Sequence, residues 1–122
     1  METVFKPTNE ELMEQWSQSF AREIIRIYQG LTVEKKDSVI WEQCLKCGTS
    51  IGANFCEGIY KLIHRKVEFA DKLHKALEEA YETKYWLNLL CDTGYIPDRS
   101  ILHNCKDLID LITDLLNKYS YN

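Results

Sequence analysis

Proline is nearly missing from this chain of 122 residues, with only Pro7 and Pro97 present. Both stand where helices would begin, so nothing interrupts the long amphipathic stretches between them. Also missing is any apolar run near the ~20 residues that cross a bilayer, which excludes a membrane-spanning helix. The start of the chain, Met1-Glu2-Thr3-Val4-Phe5-Lys6-Pro7, has no basic segment followed by an apolar one. A secretion signal is therefore not expected, and the chain should stay in the cytoplasm. The five cysteines are an odd number and are expected as reduced, small core side chains rather than as a disulfide framework. Excess basic charge is lacking too. A net charge of -4 and a pI near 5.4 give no global attraction for phosphate backbones, so nucleic-acid binding would need a local basic patch.

Catalytic signatures are also absent. No glycine-rich phosphate loop, nucleophile elbow or Ser/His/Asp arrangement can be argued from position. The pair Cys44-x-x-Cys47 has no second pair to make a structural zinc site, and Cys56 and His64 would have to complete it. Cys44 lies at least a turn inside a helix and on its apolar stripe, away from the N-terminal dipole a redox pair uses, so both cysteines read as core packing. A bundle di-iron site needs two E-x-x-H motifs and two further carboxylates, and Asp71-x-x-His74 is the sole approach to one. The expectation is no enzyme, no cofactor and no metal.

What is present is ordinary globular composition, 45% hydrophobic and 28% charged, in one domain's length. The pattern predicts four helices, over about 8–29, 38–63, 66–91 and 98–119, with no strand. In the first, Thr8 with Glu10 and Glu11 forms a capping box, Leu12, Trp16, Phe20 and Ile24 form the core stripe, and Gly30 ends the helix. Asp37 or Ser38 caps the second helix, which runs through Gly58. The third carries a clean four-three repeat, Phe69, Leu73, Ala76, Ala80, Thr83, Leu87 and Leu90, stopped by Asp92-Thr93-Gly94. Asp98 caps the fourth, whose stripe is Ile101, Cys105, Leu108, Ile112, Leu115 and Tyr119, widened by Leu102, Ile109 and Leu116. Short connectors between such helices imply an antiparallel up-down-up-down four-helix bundle.

The most distinctive stretch lies in the second helix. Ile40, Cys44, Cys47, Ile51 and Phe55 fall on its core stripe, and Gln43, Lys46, Ser50, Asn54, Glu57 and Lys61 form a polar seam beside it. Two glycines within five positions, Gly48 and Gly52, cost on the order of 2 kcal/mol of helix stability relative to alanine. Close packing between helices or subunits would offset that. The seam then either faces solvent or makes such a contact.

The run Gln43-Cys44-Leu45-Lys46-Cys47-Gly48-Thr49-Ser50-Ile51-Gly52-Ala53-Asn54-Phe55-Cys56-Glu57-Gly58 resembles the signature Q-x-x-R-A-A-x-S-I-P-A-N-I-A-E-G of a family of small bacterial four-helix-bundle proteins. That family includes the proteins encoded in intervening sequences of large-subunit rRNA genes and Avd, the accessory protein of diversity-generating retroelements. The resemblance continues through Glu68-Phe69, Ala76 to Leu87 and Gly94-Tyr95-Ile96, and spans residues 17 to 119. Gly52 replaces the usual proline, and Lys46-Cys47-Gly48 replaces R-A-A.

The resemblance implies a ring-like homopentamer acting as a scaffold or adaptor. Trp41, Tyr60, Tyr85 and Trp86, outside the core stripes, would supply apolar surface for such an assembly. Ser50, Asn54, Glu57 and Glu82 are the candidate oligomer seam. Lys61, Arg65, Lys66, Lys72 and Lys75 are the candidate nucleic-acid contacts, which repeated around a ring would form a multivalent basic rim for structured RNA or a reverse transcriptase.

Overall fold

The computed structural model describes residues 6–36, 38–62 and 64–119. Among the described residues, five helices follow one another: α1 (Asn9–Gln29), α2 (Val33–Lys36), α3 (Val39–Leu62), α4 (Lys66–Asp92) and α5 (Ser100–Tyr119). No strand occurs among the described residues. The four long helices pack in a closed cycle, α1 on α3, α3 on α4, α4 on α5 and α5 on α1. Neighbours run in opposite directions. Lys118 near the end of α5 reaches Glu10 at the start of α1 (2.7 Å), and Asn104 near the start of α5 reaches Glu23 in the later half of α1 (2.9 Å). Glu57 late in α3 likewise meets Lys72 early in α4.

The helix ends follow from local chemistry. Thr8 accepts the Glu11 backbone N–H (3.1 Å) and its hydroxyl donates to the Glu11 carboxylate, which starts α1. Asp98 accepts the Ser100 N–H at 2.9 Å and starts α5. Gly94, with φ +84°, reverses the chain after α4, and the N–H groups of Tyr95 and Ile96 return to the Leu90 carbonyl. Gly30 caps α1 in an ordinary right-handed conformation, φ -80°, so α2 follows inside the stretch that reads as a plain connector. The suggested Asp37 cap and an end of α3 at residue 63 lie outside the described residues.

The repeat in α4 is buried in full: Phe69, Leu73, Ala76, Ala80, Thr83, Leu87 and Leu90 all face the core. The α5 stripe is buried as expected, apart from half-buried Leu102 and Tyr119, and gains Leu111. The α1 stripe, in contrast, is rotated from its expected place. Met13, Ser17, Phe20 and Ile24 are buried, Leu12 is half-buried, and Trp16 is 40% exposed. The cause is the partner helix. A Cβ at Gly52 would lie 3.1 Å from the Ser17 hydroxyl, so the two small residues let α1 and α3 approach, and Ser17 rather than Trp16 turns inward. Trp41 also departs from expectation. It is fully buried against Tyr28, because α3 begins at Val39 with Trp41 already aimed at α1, so it offers no surface to an assembly. The indole N–H groups of Trp41 and Trp86 are enclosed without an acceptor among the described residues.

Candidate functional site

The glycines of α3 mark the tightest helix contacts. A Cβ at Gly48 would sit 2.3 Å from Ile24 Cδ1, and one at Gly58 would sit 2.9 Å from both Lys72 Cβ and Phe69 Cδ1. The close packing that offsets their poor helix propensity is thus made within one chain, to α1 and α4. Gly58 lies inside α3, as the continued stripe predicts.

The polar seam borders the α3–α4 groove. Asn54, only 8% exposed, turns its amide back to the Ser50 carbonyl (2.9 Å), and the Ser50 hydroxyl donates to the Lys46 carbonyl (2.7 Å). Glu57 reaches across, as Lys61 does to Glu68: Lys72 Nζ donates to the Glu57 carboxylate at 2.6 Å and, with its charge, lowers the Glu57 pKa. Glu82 is exposed on α4, across the groove.

The basic residues begin at the α3–α4 turn with Lys61, Arg65 and Lys66 and continue along the first three turns of α4 with Lys72 and Lys75. Arg65 donates to the Glu68 carboxylate (2.8 Å) and holds its pKa below the usual range, with Lys61 3.7 Å from the same carboxylate. Lys72 is taken by Glu57, whereas Lys66 and Lys75 are exposed and make no ion pair among the described residues. Free cationic surface is therefore greater at Lys66, beside the turn, and at Lys75, more than two helical turns into α4, than at Lys61, Arg65 or Lys72.

The cysteines separate by environment. Burial pushes up the thiols of Cys44 and Cys105, the latter to about 12, while Cys56 is exposed on the far face of α3 and shares no site with Cys44 and Cys47. His64 lies in the turn, and Asp71 and His74 are on the solvent face of α4, so neither the cysteine set nor the di-iron fragment assembles. A different grouping does. The Cys47 sulfur and one carboxylate oxygen each from Glu79 and Glu82 all lie within 4.8 Å of one another. Thr83, between them on α4, places its hydroxyl 3.0 Å from the Cys47 sulfur and 2.7 Å from the Glu79 carbonyl. Burial, opposed by the Thr83 contact and reinforced by Glu82 and Glu79, pushes the Cys47 thiol to about 11. Burial and the charge of Glu82 raise Glu79, partly offset by Lys75 and Lys46. The sequence signal for this grouping is weak. Glu79 and Glu82 look like a solvated face, and only the packing of α4 on α3 aims them at a cysteine thirty-odd positions earlier.

On the opposite side, Trp16, Ser19, Phe20 and Glu23 of α1 and Asn104 and Asp107 of α5 line a groove of about 240 Å³. No helix among the described residues is long and apolar enough to cross a membrane.

No curated protein matches the chain. Among solved structures, it is similar to a protein of unknown function from the S23 ribosomal protein family of Bacteroides thetaiotaomicron, at 34% identity and TM-score 0.81, covering 90% of this chain and 99% of that one. The model of the 23S rRNA-intervening sequence protein family matches residues 10–118. With the serine, asparagine and glutamate of its signature along α3 and the helices around them packed as in that relative, the chain belongs to the 23S rRNA-intervening sequence protein family.

Proposed function

We propose that the chain is a non-enzymatic scaffold that associates with copies of itself and presents the assembled surface to a partner. The observation that carries this is a set of exposed tyrosines on α3 and α4 left over once the core is complete. Tyr81 and Tyr85, a turn apart on α4, are 54% and 58% exposed, and Tyr60 on α3 is 83% exposed, while all four long helices already bury their apolar stripes. Tyrosines of this kind add contact area at low entropic cost and are enriched in interfaces. Trp41, buried in the core, plays no part. The polar seam supports the reading more weakly, since Ser50 and Asn54 are satisfied within their own helix and only Glu57 and Glu82 remain outward.

Light scattering tests it. The wild-type chain should have a solution mass that is a multiple of 14.4 kDa, five-fold for a ring, and Tyr81→Lys/Tyr85→Lys should lower that mass with unchanged helix content. A wild-type mass of one chain would defeat the reading, and an unchanged mass in the variant would move the interface elsewhere. Glu57→Ala and Asn54→Leu probe the seam in the same way.

A second reading rests on Lys66, Lys75 and their neighbours around the α3–α4 turn: a basic rim that binds structured RNA, with a reverse transcriptase as a further partner in the manner of Avd. The family description names an intervening sequence of 23S rRNA, not a ligand. A total charge of -4 opposes this reading, and multivalent display in an oligomer would favour it.

A further inference from the structure

We propose that Cys47, Glu79 and Glu82 hold one divalent cation of the zinc class, clamping α3 to α4, with a fourth position left for water. Three observations converge on it. The donor atoms come from two helices and lie within 4.8 Å of one another, where a tetrahedral zinc ion would hold them roughly 3.3–3.6 Å apart, a gap of about an ångström that rotation of the two glutamate side chains can close. The thiol is buried, 2% exposed, donates to the Cys44 carbonyl at 3.6 Å and accepts from the Thr83 hydroxyl at 3.0 Å. Its sulfur also stands within 4.8 Å of one carboxylate oxygen each from Glu79 and Glu82, so a buried soft donor borders two hard ones. Finally, the frame is rigid. Gly58 leaves no room for even a methyl group against Lys72 and Phe69 of α4, and the Thr83 hydroxyl meets the Cys47 sulfur at 3.0 Å, so the α3–α4 register that juxtaposes the ligands is fixed by packing contacts.

The donor set selects the ion. Thiolate with two carboxylates suits zinc better than calcium or magnesium, which take oxygen donors alone. Binding replaces the thiol proton, which leaves to solvent, and the Zn–S bond forms in its place. The Thr83 hydroxyl, 3.0 Å from the sulfur, is then a donor to the thiolate and orients it. Lys46 and Lys75, close enough to Glu79 to favour its ionised form, sit on flexible stems that swing aside when a cation arrives.

The test uses the full chain, reduced and stripped of metal, titrated with Zn²⁺ by calorimetry and with Co²⁺ by absorption. One Zn²⁺ per chain and a thiolate-to-cobalt charge-transfer band are expected. Cys47→Ala, which keeps the other four cysteines, should abolish the band and weaken Zn²⁺ binding by more than about tenfold, and Glu79→Gln should weaken it while keeping the band. Helix content and melting confirm that each variant is folded. Absence of stoichiometric Zn²⁺ binding, or binding that survives Cys47→Ala unchanged, overturns the proposal.

Discussion

At Gly58 one added carbon would meet two atoms with nowhere to go, the Lys72 Cβ and the Phe69 ring, each at 2.9 Å. Gly58→Ala therefore sets an overpacking cost of about 1–3 kcal/mol against a helix-propensity gain of about 1 kcal/mol, and a net loss of stability is expected in urea denaturation. Gly52→Ala meets only the Ser17 side chain, at 3.1 Å, and should stay within about 0.5 kcal/mol of the parent as the same propensity gain offsets a small shift. Equal losses at the two positions would mean that the α1–α3 and α3–α4 contacts are equally unyielding. Glu10 offers a different kind of single-residue test. Burial raises its pKa, but hydrogen bonds from Lys118 and Tyr119 and from its own backbone N–H outweigh this and hold it at about 2, against 4.5 ordinarily. A depressed carboxyl stabilises the fold fully above the ordinary value, and that contribution fades as pH falls toward the folded value. Glu10→Gln should thus lower the melting temperature at neutral pH and leave it almost unchanged at about pH 2.

Among the helices, α4 was the most legible in advance and α1 the least, for a physical reason. Each of the seven α4 core positions is apolar or, at Thr83, short enough to satisfy its hydroxyl on the Glu79 carbonyl one turn back, so period alone located its buried face. The face of α1 depends on a partner. Trp16 has the larger apolar surface, yet Ser17 is buried because Gly52 admits it, and no property of α1 by itself encodes that. Trp41 was displaced from expectation for the same reason. The candidate site divides likewise: the seam and basic turn were visible as stripes along single helices, whereas the grouping of Cys47 with Glu79 and Glu82 needed the α3–α4 register. The turn after α4 gives a clean test at this scale. Gly94 has φ +84° and nothing within 4 Å of a prospective Cβ, so Gly94→Ala isolates the backbone cost of a left-handed residue. A loss of about 1–2 kcal/mol is expected; no loss would mean that the turn relaxes to another conformation.

For the molecule as a whole, charge is unevenly placed. The total is -4, yet Lys61, Arg65, Lys66, Lys72 and Lys75 gather around one end. If RNA is the ligand, binding should weaken steeply as salt rises, and Lys61/Arg65/Lys66→Ala should give a shallower slope, since each lost phosphate contact removes roughly 0.7–0.9 from it. The lysine contributing most to that change should be Lys66, which has no carboxylate partner among the described residues. No binding at low salt would leave the protein-scaffold reading standing alone.

The three tryptophans form a built-in optical gauge of the same bundle. Trp41 is sealed between α1 and α3 with its indole N–H unmatched, Trp86 sits half-buried with its own N–H enclosed, and Trp16 lies open in the α1–α5 groove. Their emission should therefore separate into a blue, quencher-shielded component from the interior and a redder one that iodide reaches first. Loss of the shielded component on heating would report the α1–α3 contact opening, while protection of the red one from iodide would report occupancy of the groove.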